Sequence, residues 1–280
     1  SADFFSTPEL AQIARKAETS GFHTLWVPEM FGRDPFVTCA TLLNATDRVR
    51  VGTAITNIYA RDERAIKAAA YSLAESSGGR FDLGIGVSNK MGNEQRGLPW
   101  LPPARKLYAF LDRYEQTELM FDYGKMNVPV YLAAHGPKLM QVAATRLQGA
   151  YTYMMPASYS RRSKELLGNG KLHLMQPTVF ETNPENARKH ARRAVSIYMP
   201  LENYHRAWRE AGFADADFSE GGSDHFIDTL IAWGNQNKIL ERFALQREHG
   251  VDQIIVSTVN LNLSADPTWT KLGELISAGS

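Results

Sequence analysis

The feature that most constrains this chain is a regular alternation of short apolar runs with longer segments of helical periodicity. Seven runs rich in Val, Ile and Tyr have the length and composition of strands: 24–27, 49–55, 81–87, 130–133, 150–153, 172–180 and 251–256. Continuous apolar runs joined by helices are typical of parallel strands covered on both faces. The pattern therefore predicts an α/β protein, either a doubly wound sheet or an eight-stranded barrel.

The first predicted helix helps to choose between these architectures. Thr7 can cap this helix, Pro8 suits its first turn, and Gly21 ends it. Only residues 2–5 precede it, so a barrel would lack the strand that comes before its first helix. We therefore predict a TIM (β/α)8 barrel whose first strand is missing or incomplete in this sequence. Because no linker rich in Gly, Ser or Pro divides the chain, residues 1–280 are predicted to form a single domain.

Other helices are predicted from their periodicity at 63–76, 104–120, 137–147, 183–196, 201–212, 226–234 and 238–250. The polar stretch 156–171 contains Gly168, Asn169 and Gly170. Glycine and asparagine favour loops, so this stretch is predicted to be a mobile loop.

The charge balance argues against two classes of partner. The chain has 31 Lys and Arg against 30 Asp and Glu, which gives a net charge of +1. Proteins that bind nucleic acid or anionic membranes usually carry a clustered basic surplus, so neither partner is expected. The sequence contains no run of about 18 apolar residues, so no membrane-spanning helix is predicted. A cytoplasmic location is expected.

The single cysteine, Cys39, excludes an internal disulfide and a cysteine-based metal cluster. It lies in the apolar stretch 37–43, where a small buried hydrophobic side chain is expected rather than a nucleophile. His190 and His205 have no compact metal-binding spacing with neighbouring carboxylates, so no metal site is predicted.

Three segments that follow predicted strands are more specific: Trp-Val-Pro-Glu-Met-Phe-Gly-Arg-Asp-Pro at 26–35, Gly-Thr-Ala-Ile-Thr-Asn-Ile-Tyr-Ala-Arg-Asp at 52–62, and Gly-Arg-Phe-Asp-Leu-Gly-Ile-Gly-Val-Ser-Asn at 79–89. With the glycine-rich segment 221–224 and the segment 232–234, they resemble the bacterial luciferase-like flavin and deazaflavin oxidoreductases, and among them the coenzyme F420-dependent branch. The resemblance covers almost the whole chain. It implies a luciferase-like barrel that binds its cofactor ring at the carboxyl ends of the strands, acts on a small-molecule substrate, and forms a homodimer.

The resemblance also implies where the cofactor binds. Family members have a non-prolyl cis peptide under the ring, and Ala54 and Ile55 are the matching pair. Further contacts with the cofactor are implied for the following residues: Glu29, Asn57, Val87, Ser88, Asn89 and Tyr153. For Ser88 and Asn89 the alternative is a helix cap, a role that both residue types favour.

The segment 132–138 has the pattern of a strand end, a turn of small residues and a helix start with Pro137 in its first turn. Free backbone amides at a helix start are a ready anion site. Relatives bind the cofactor phosphate at this position, so the resemblance assigns that role to Ala134, His135 and Gly136. For His135 a structural role is the alternative.

The chain departs from the family pattern at two positions that matter for chemistry. Sugar-phosphate dehydrogenases of the deazaflavin branch have a histidine and a glutamate where this sequence has Met30 and Asn89. Neither of these side chains exchanges a proton near neutral pH, so that activity is not expected. The remaining candidates for a proton donor are His135, Tyr59 and Tyr153, with His135 and Tyr59 taken as the catalytic candidates. Arg61 either binds an anionic group of the cofactor or substrate, or pairs with Asp62.

The function predicted from the sequence is therefore hydride transfer between coenzyme F420 and a small organic substrate. One alternative is a monooxygenase that depends on flavin mononucleotide (FMN) and has the same fold. Another is a barrel that binds flavin without catalysing a reaction.

Overall fold

A computed structural model describes residues 2–279. The chain divides into two compact units, of which the first ends at Ala133 and the second begins at Ala134. The prediction of a single domain stays a prediction. Each unit is built from parallel strands and helices that alternate along the chain.

The first unit contains five parallel strands, which are β1 (Thr24–Val27), β2 (Arg50–Thr53), β3 (Thr56–Asn57), β4 (Phe81–Gly86) and β5 (Val130–Ala133). The order of pairing is β1, β2, β4 and β5, and the two-residue strand β3 also pairs with β4. All six residues of β4 are buried, as expected for the central strand of a parallel sheet.

The helices of the first unit are α1 (Thr7–Thr19), α2 (Pro35–Asn44), α3 (Glu63–Ser76), α4 (Lys90–Gln95) and α5 (Pro103–Gln116). The prediction that Thr7 caps α1 is wrong. Ser6 is the cap, because its hydroxyl accepts the Glu9 N–H while its own N–H donates to the Glu9 carboxylate at 2.7 Å. Ahead of α1, residues 2–6 contain a short 3₁₀ helix, Ala2–Phe4, and no strand, as predicted for the missing first strand.

Helix α2 was not predicted from the sequence, although the apolar stretch 37–43 within it was noted. Asp34 caps it by accepting the N–H groups of Phe36 and Val37. Cys39 lies on this helix with no exposed surface, which confirms that it is a buried hydrophobic side chain. Burial raises the pKa of the thiol well above its ordinary range.

The second unit contains β6 (Gly149–Tyr153), β7 (Lys171–Val179), β8 (Ala232–Trp233) and β9 (Gln253–Thr258). Strand β7 pairs in parallel with each of the other three. The helices are α6 (Pro137–Arg146), α7 (Ala157–Leu167), α8 (Pro184–Val195), α9 (Glu202–Glu210), α10 (Asp224–Leu230), α11 (Gln236–Glu248) and α12 (Asp266–Gly279), and a 3₁₀ helix spans Asp215–Phe218.

Two predictions in this unit are wrong. The stretch expected to be a mobile loop, 156–171, forms α7, because Tyr159, Ser163 and Leu167 recur every four residues and bury one face of a helix. Gly168, with a φ of 58°, ends that helix. The helix predicted at 226–234 ends at Leu230, after which Ala232–Trp233 pairs with β7 as a strand.

None of the helices within residues 2–279 is both long and apolar enough to cross a membrane. The same residues contain no group of three or more His, Cys, Asp or Glu side chains arranged to hold a metal ion.

Candidate active site

Glu29 follows β1 and is the centre of a polar cluster in the first unit. Its side chain is only 3% exposed. One carboxylate oxygen, Oε2, accepts hydrogen bonds from the Thr56 hydroxyl at 3.0 Å, the Asn57 N–H at 2.9 Å and the Arg61 guanidinium at 2.8 Å. The other oxygen lies 3.3 Å from Nη1 of Arg96. Glu29 therefore binds both residues of β3 and pairs with two arginines.

Arg61 is engaged by carboxylates other than the one expected. It pairs with Glu29 and, at 2.6 Å, with Asp34. Burial lowers the pKa of its guanidinium, but the hydrogen bonds to these two carboxylates outweigh that effect and raise the pKa overall. The predicted pairing with Asp62 is not observed, since Asp62 caps α3 by accepting the Ala65 N–H at 2.8 Å.

The peptide bond between Ala54 and Ile55 is cis, as the family resemblance implied. This pair connects β2 to β3. The Ala54 N–H donates to the Val27 carbonyl at 2.8 Å, and the Ile55 carbonyl accepts from the Glu29 N–H at 3.3 Å. The Ile55 side chain lies over Gly86, where an added Cβ would be only 2.7 Å from Ile55 Cδ1. The absence of a side chain at Gly86 is what lets Ile55 occupy this place.

A chain of side-chain amides connects the residues after β3 with those after β4. The Asn57 amide donates to Asn93 Oδ1 at 2.8 Å, and the Asn93 amide donates to the carbonyls of Val87 and Asn89, both at 3.0 Å. Asn89 also caps α4, the structural alternative considered for it, by accepting the Gly92 N–H at 2.8 Å. Asn93 was missed in the sequence, where only its spacing of four residues from Asn89 could have indicated a contact.

Tyr59 lies flat against Trp100, with ring centroids 5.2 Å apart and planes 10° apart. Its hydroxyl donates to the Leu101 carbonyl at 2.7 Å, and Lys106 Nζ lies 5.3 Å from its ring centroid. Burial raises the pKa of Tyr59. The hydroxyl proton of Tyr59 thus already forms a hydrogen bond with a backbone carbonyl. The role of Tyr59 as a proton donor stays a prediction.

In the second unit, Ala134, His135 and Gly136 form the turn that enters α6. Ala134 is buried and its N–H donates to the Tyr151 carbonyl at 3.0 Å. Gly136 is the N-cap residue of α6, which receives no side-chain cap from the described part of the chain. A Cβ added at Gly136 would meet no described atom within 4 Å. The first amides of this ten-residue helix therefore border open space, an arrangement that fits an anionic group such as a phosphate.

His135 is partly buried at this turn. Its Nδ1 is buried and has no hydrogen-bond partner among residues 2–279. Burial, assisted by the positive charge of Arg206, lowers the pKa of His135 to about 4. The imidazole is therefore neutral near pH 7, so it can offer one N–H donor or one nitrogen acceptor but no positive charge.

Three tyrosines form an aromatic cluster next to His135. The His135 ring lies 5.0 Å from Tyr204, which lies 5.0 Å from Tyr198, which in turn lies 5.1 Å from Tyr153. Tyr153 forms side-chain hydrogen bonds with Tyr198 and Ser257, and burial raises its pKa well above its ordinary value. Tyr198 and Tyr204 were not predicted from the sequence, where the density of aromatic residues between 198 and 208 was the available signal.

The structure thus brings the predicted residues together in two groups, one in each unit. In the first unit, hydrogen bonds connect Glu29 to Ile55 and Asn57, and connect Asn57 through Asn93 to the loop after β4. Ser88 in that loop is exposed. In the second unit, ring contacts connect the turn at 134–136 to Tyr153. The cofactor role of each residue stays a prediction.

Comparisons with known proteins show which enzymes the chain resembles. Residues 5–118 match the sequence model of the luciferase-like monooxygenase family. The chain is 24% identical over 296 residues to a 5,10-methylenetetrahydromethanopterin reductase from Archaeoglobus fulgidus, and the match covers 89% of each chain.

Two solved structures have the same fold. The coenzyme F420-dependent tetrahydromethanopterin reductase from Methanopyrus kandleri has a TM-score of 0.77 and 15% identity, over 99% of this chain and 96% of that one. The oxygenating constituent of 3,6-diketocamphane monooxygenase from the CAM plasmid of Pseudomonas putida, solved with FMN, has a TM-score of 0.74 and 13% identity, over 99% and 94%.

These similarities confirm the predicted fold class, the luciferase-like (β/α)8 barrel. They also confirm the resemblance to the luciferase-like oxidoreductases, and the chain is an enzyme.

Proposed function

We propose that this chain is a coenzyme F420-dependent oxidoreductase that transfers a hydride between the deazaflavin and a small organic substrate. The observation that carries the proposal is the open start of α6, where uncapped amides and the unpartnered Nδ1 of the partly buried His135 fit an anionic cofactor tail. The match to a methylenetetrahydromethanopterin reductase over most of both chains favours a reductase. The F420-dependent enzyme with the same fold supports this choice of cofactor.

In this proposal Ala134, His135 and Gly136 bind the phosphate, and Ile55 with its cis neighbour Ala54 supports the ring. When bound, the deazaflavin supplies the hydride chemistry, while the protein supplies binding, orientation and exclusion of water. Val87, Ser88 and Asn89 are assigned to the polar edge of the ring, where hydroxyl and amide groups can both donate and accept hydrogen bonds. The imidazole of His135 and the hydroxyl of Tyr59, which donates to the Leu101 carbonyl, remain the candidate groups for proton transfer.

An FMN-dependent monooxygenase is the second candidate. It is favoured by the match of residues 5–118 to a monooxygenase family and by the FMN complex of the camphane enzyme, which has the same fold. The start of α6 does not discriminate between the two cofactors, because both carry a phosphate. A cytoplasmic location and a homodimer stay predictions for either enzyme.

Fluorescence titration with each cofactor, at low and high salt, tests the proposal. The deazaflavin has a longer and more acidic tail, so we expect it to bind more tightly than FMN and to lose more affinity as salt rises. Gly136→Asp should abolish this binding, because a carboxylate at the helix start repels the phosphate. Gly136→Ala is the matched control, since its methyl group enters open space without a charge.

Three results would contradict the proposal. Tighter binding of FMN with oxygen-dependent turnover would establish the monooxygenase instead. Equal loss of affinity in Gly136→Asp and Gly136→Ala would mean that the start of α6 does not hold a phosphate. Binding of neither cofactor by the wild-type protein would remove the proposed function altogether.

A further inference from the structure

Asn93 carries an inference that rests on the proposed function and extends it. We propose that Asn93 is a positioning residue, which holds the loop after β4 in the conformation that presents Ser88 to the cofactor. Asn93 lies on the short helix α4 and has no exposed surface. Neither the family resemblance nor the sequence pattern assigned it a role.

The Asn93 amide binds two backbone carbonyl groups. They belong to Val87 and Asn89, so one side-chain amide holds the backbone on both sides of Ser88. Ser88 has a φ of 57°, in the left-handed region that residues other than glycine adopt at a cost. A conformation of this kind persists only where the surroundings hold it, and the Asn93 amide bonds the carbonyls on either side.

The other end of the Asn93 side chain is fixed as well. Its Oδ1 accepts from the Asn57 amide at 2.8 Å, and the Asn57 N–H is bound in turn by Glu29 at 2.9 Å. These bonds fix the loop relative to β3, which begins directly after the cis peptide. Asn57 is 3% exposed, so this bond is formed out of water, where a lost partner is costly.

The side-chain amide of asparagine satisfies all of these contacts. The side chain must accept one hydrogen bond and donate two, which excludes aspartate and any apolar residue. Asn93→Asp keeps the acceptor for Asn57 but places a carboxylate oxygen against two carbonyl oxygens. Asn93→Ala removes all three bonds without burying a charge, and it replaces Asn93→Asp if that variant does not fold.

Two measurements on the full chain test the proposal. The first is hydrogen exchange of the cofactor-free protein, in which Asn93→Asp should accelerate exchange by about tenfold or more in residues 86–93 and leave α1 unchanged. The second is fluorescence titration with F420 and with FMN, in which the dissociation constant of the bound cofactor should rise by about tenfold. Gln95→Ala, an exposed residue of the same helix, is the control and should match the wild type in both.

The outcomes separate the inference from the proposed function. Unchanged exchange in residues 86–93 of the variant would overturn the positioning role. Faster exchange with unchanged cofactor affinity would also overturn it, because Asn93 would then serve stability alone. If the wild-type protein binds neither cofactor, the proposed function fails and takes the cofactor role of Asn93 with it, while the exchange measurement still decides whether Asn93 fixes the loop.

Discussion

Two sets of buried polar atoms, one in each unit, differ in whether they have hydrogen-bond partners. In the first unit, Glu29, Asn57 and Asn93 are buried, and the hydrogen-bonding atoms of their side chains meet partners within the same unit. In the second unit, the buried Nδ1 of His135 and the buried hydroxyl of Thr152 have no partner among residues 2–279. Burying a polar group without a partner costs free energy, so the two regions differ in what they contribute to stability.

In the first unit these side chains form a frame of hydrogen-bonded groups, while the second unit contains buried polar atoms without a partner among the described residues. Substitution of any side chain in a network of buried, hydrogen-bonded groups lowers stability, because it leaves the partners of that side chain without a hydrogen bond. A region with unpartnered groups gains from binding whatever satisfies them. Substitutions in each unit should therefore differ both in size and in sign.

The largest effect is expected for Glu29→Ala in the first unit. The substitution removes one partner from each of Arg61 and Arg96 and strands the N–H of Asn57, and breaking a buried ion pair typically costs about 3 kcal/mol or more of the free energy of unfolding. Urea unfolding measures this loss. Glu94→Ala is the control, because its pair with Lys90 is exposed and should contribute less than about 0.5 kcal/mol. Similar losses in the two variants would show that the Glu29 cluster is not a stabilising frame.

The next effect concerns the pH dependence of the second unit. The folded protein holds the pKa of His135 at about 4, against 6.5 in the unfolded chain, so protons bind preferentially to the unfolded state between these values. The contribution of this histidine to the free energy of unfolding should therefore be fully present above pH 6.5. It should be lost as the pH drops toward 4, a decrease of at most roughly 3 kcal/mol. His173 is shifted in the same direction, also to about 4, and contributes to the same window.

His135→Asn isolates the first of these contributions. Its unfolding free energy should depend less on pH than that of the wild type between pH 4 and 6.5, while His225→Asn, which removes an exposed histidine, should follow the wild type. The pKa of His135 itself can be read from the NMR titration of its ring protons. A value near 6.5 would mean that the imidazole is not buried in solution.

The smallest effect, and the sharpest comparison, involves two buried threonines. In the first unit, the Thr53 hydroxyl donates to the Gly84 carbonyl at 2.7 Å and accepts the Gly84 N–H at 2.8 Å. Thr53→Val should cost about 2 kcal/mol, since two bonds are lost and a backbone amide is stranded. Thr152→Val in the second unit removes a hydroxyl without a partner, so we expect no loss, or a gain of up to about 0.5 kcal/mol.

Both variants replace one hydroxyl with one methyl group in a buried strand. Thermal unfolding of the two variants therefore compares the same chemical change at two sites. Equal destabilisation would show that the Thr152 hydroxyl does have a partner in solution. The proposed difference between the buried polar groups of the two units would then not hold for these two threonines.

The parts of this fold that sequence reasoning predicted are those that local pattern determines. All seven strand-like runs are strands, because each combines apolar composition with flanking turn residues. The cis bond at Ala54-Ile55 was found through a motif of neighbouring residues. Helix α7 was missed because its polar composition and terminal glycines indicate a loop unless the four-residue spacing of Tyr159, Ser163 and Leu167 is noticed.

The parts that were missed depend on contacts between distant residues. Asn93 meets Asn57 across 36 positions of the sequence, and nothing local to either residue indicates the contact. Glu29 was assigned to the cofactor, yet its carboxylate is occupied by Thr56, Asn57 and two arginines. A carboxylate in a loop has no local signature that separates a ligand from a structural anchor. Its partners are known only once the strands are placed.

The burial of Cys39 in α2 has a practical consequence for following these residues. A thiol with no exposed surface and a raised pKa reacts slowly with maleimide and similar reagents. Because it is the only cysteine in the sequence, a second one introduced at an exposed site such as Gln95 would be the preferred position for a dye or a spin label. The native chain is thus ready for single-site spectroscopy of helix α4, without first removing a thiol from its interior.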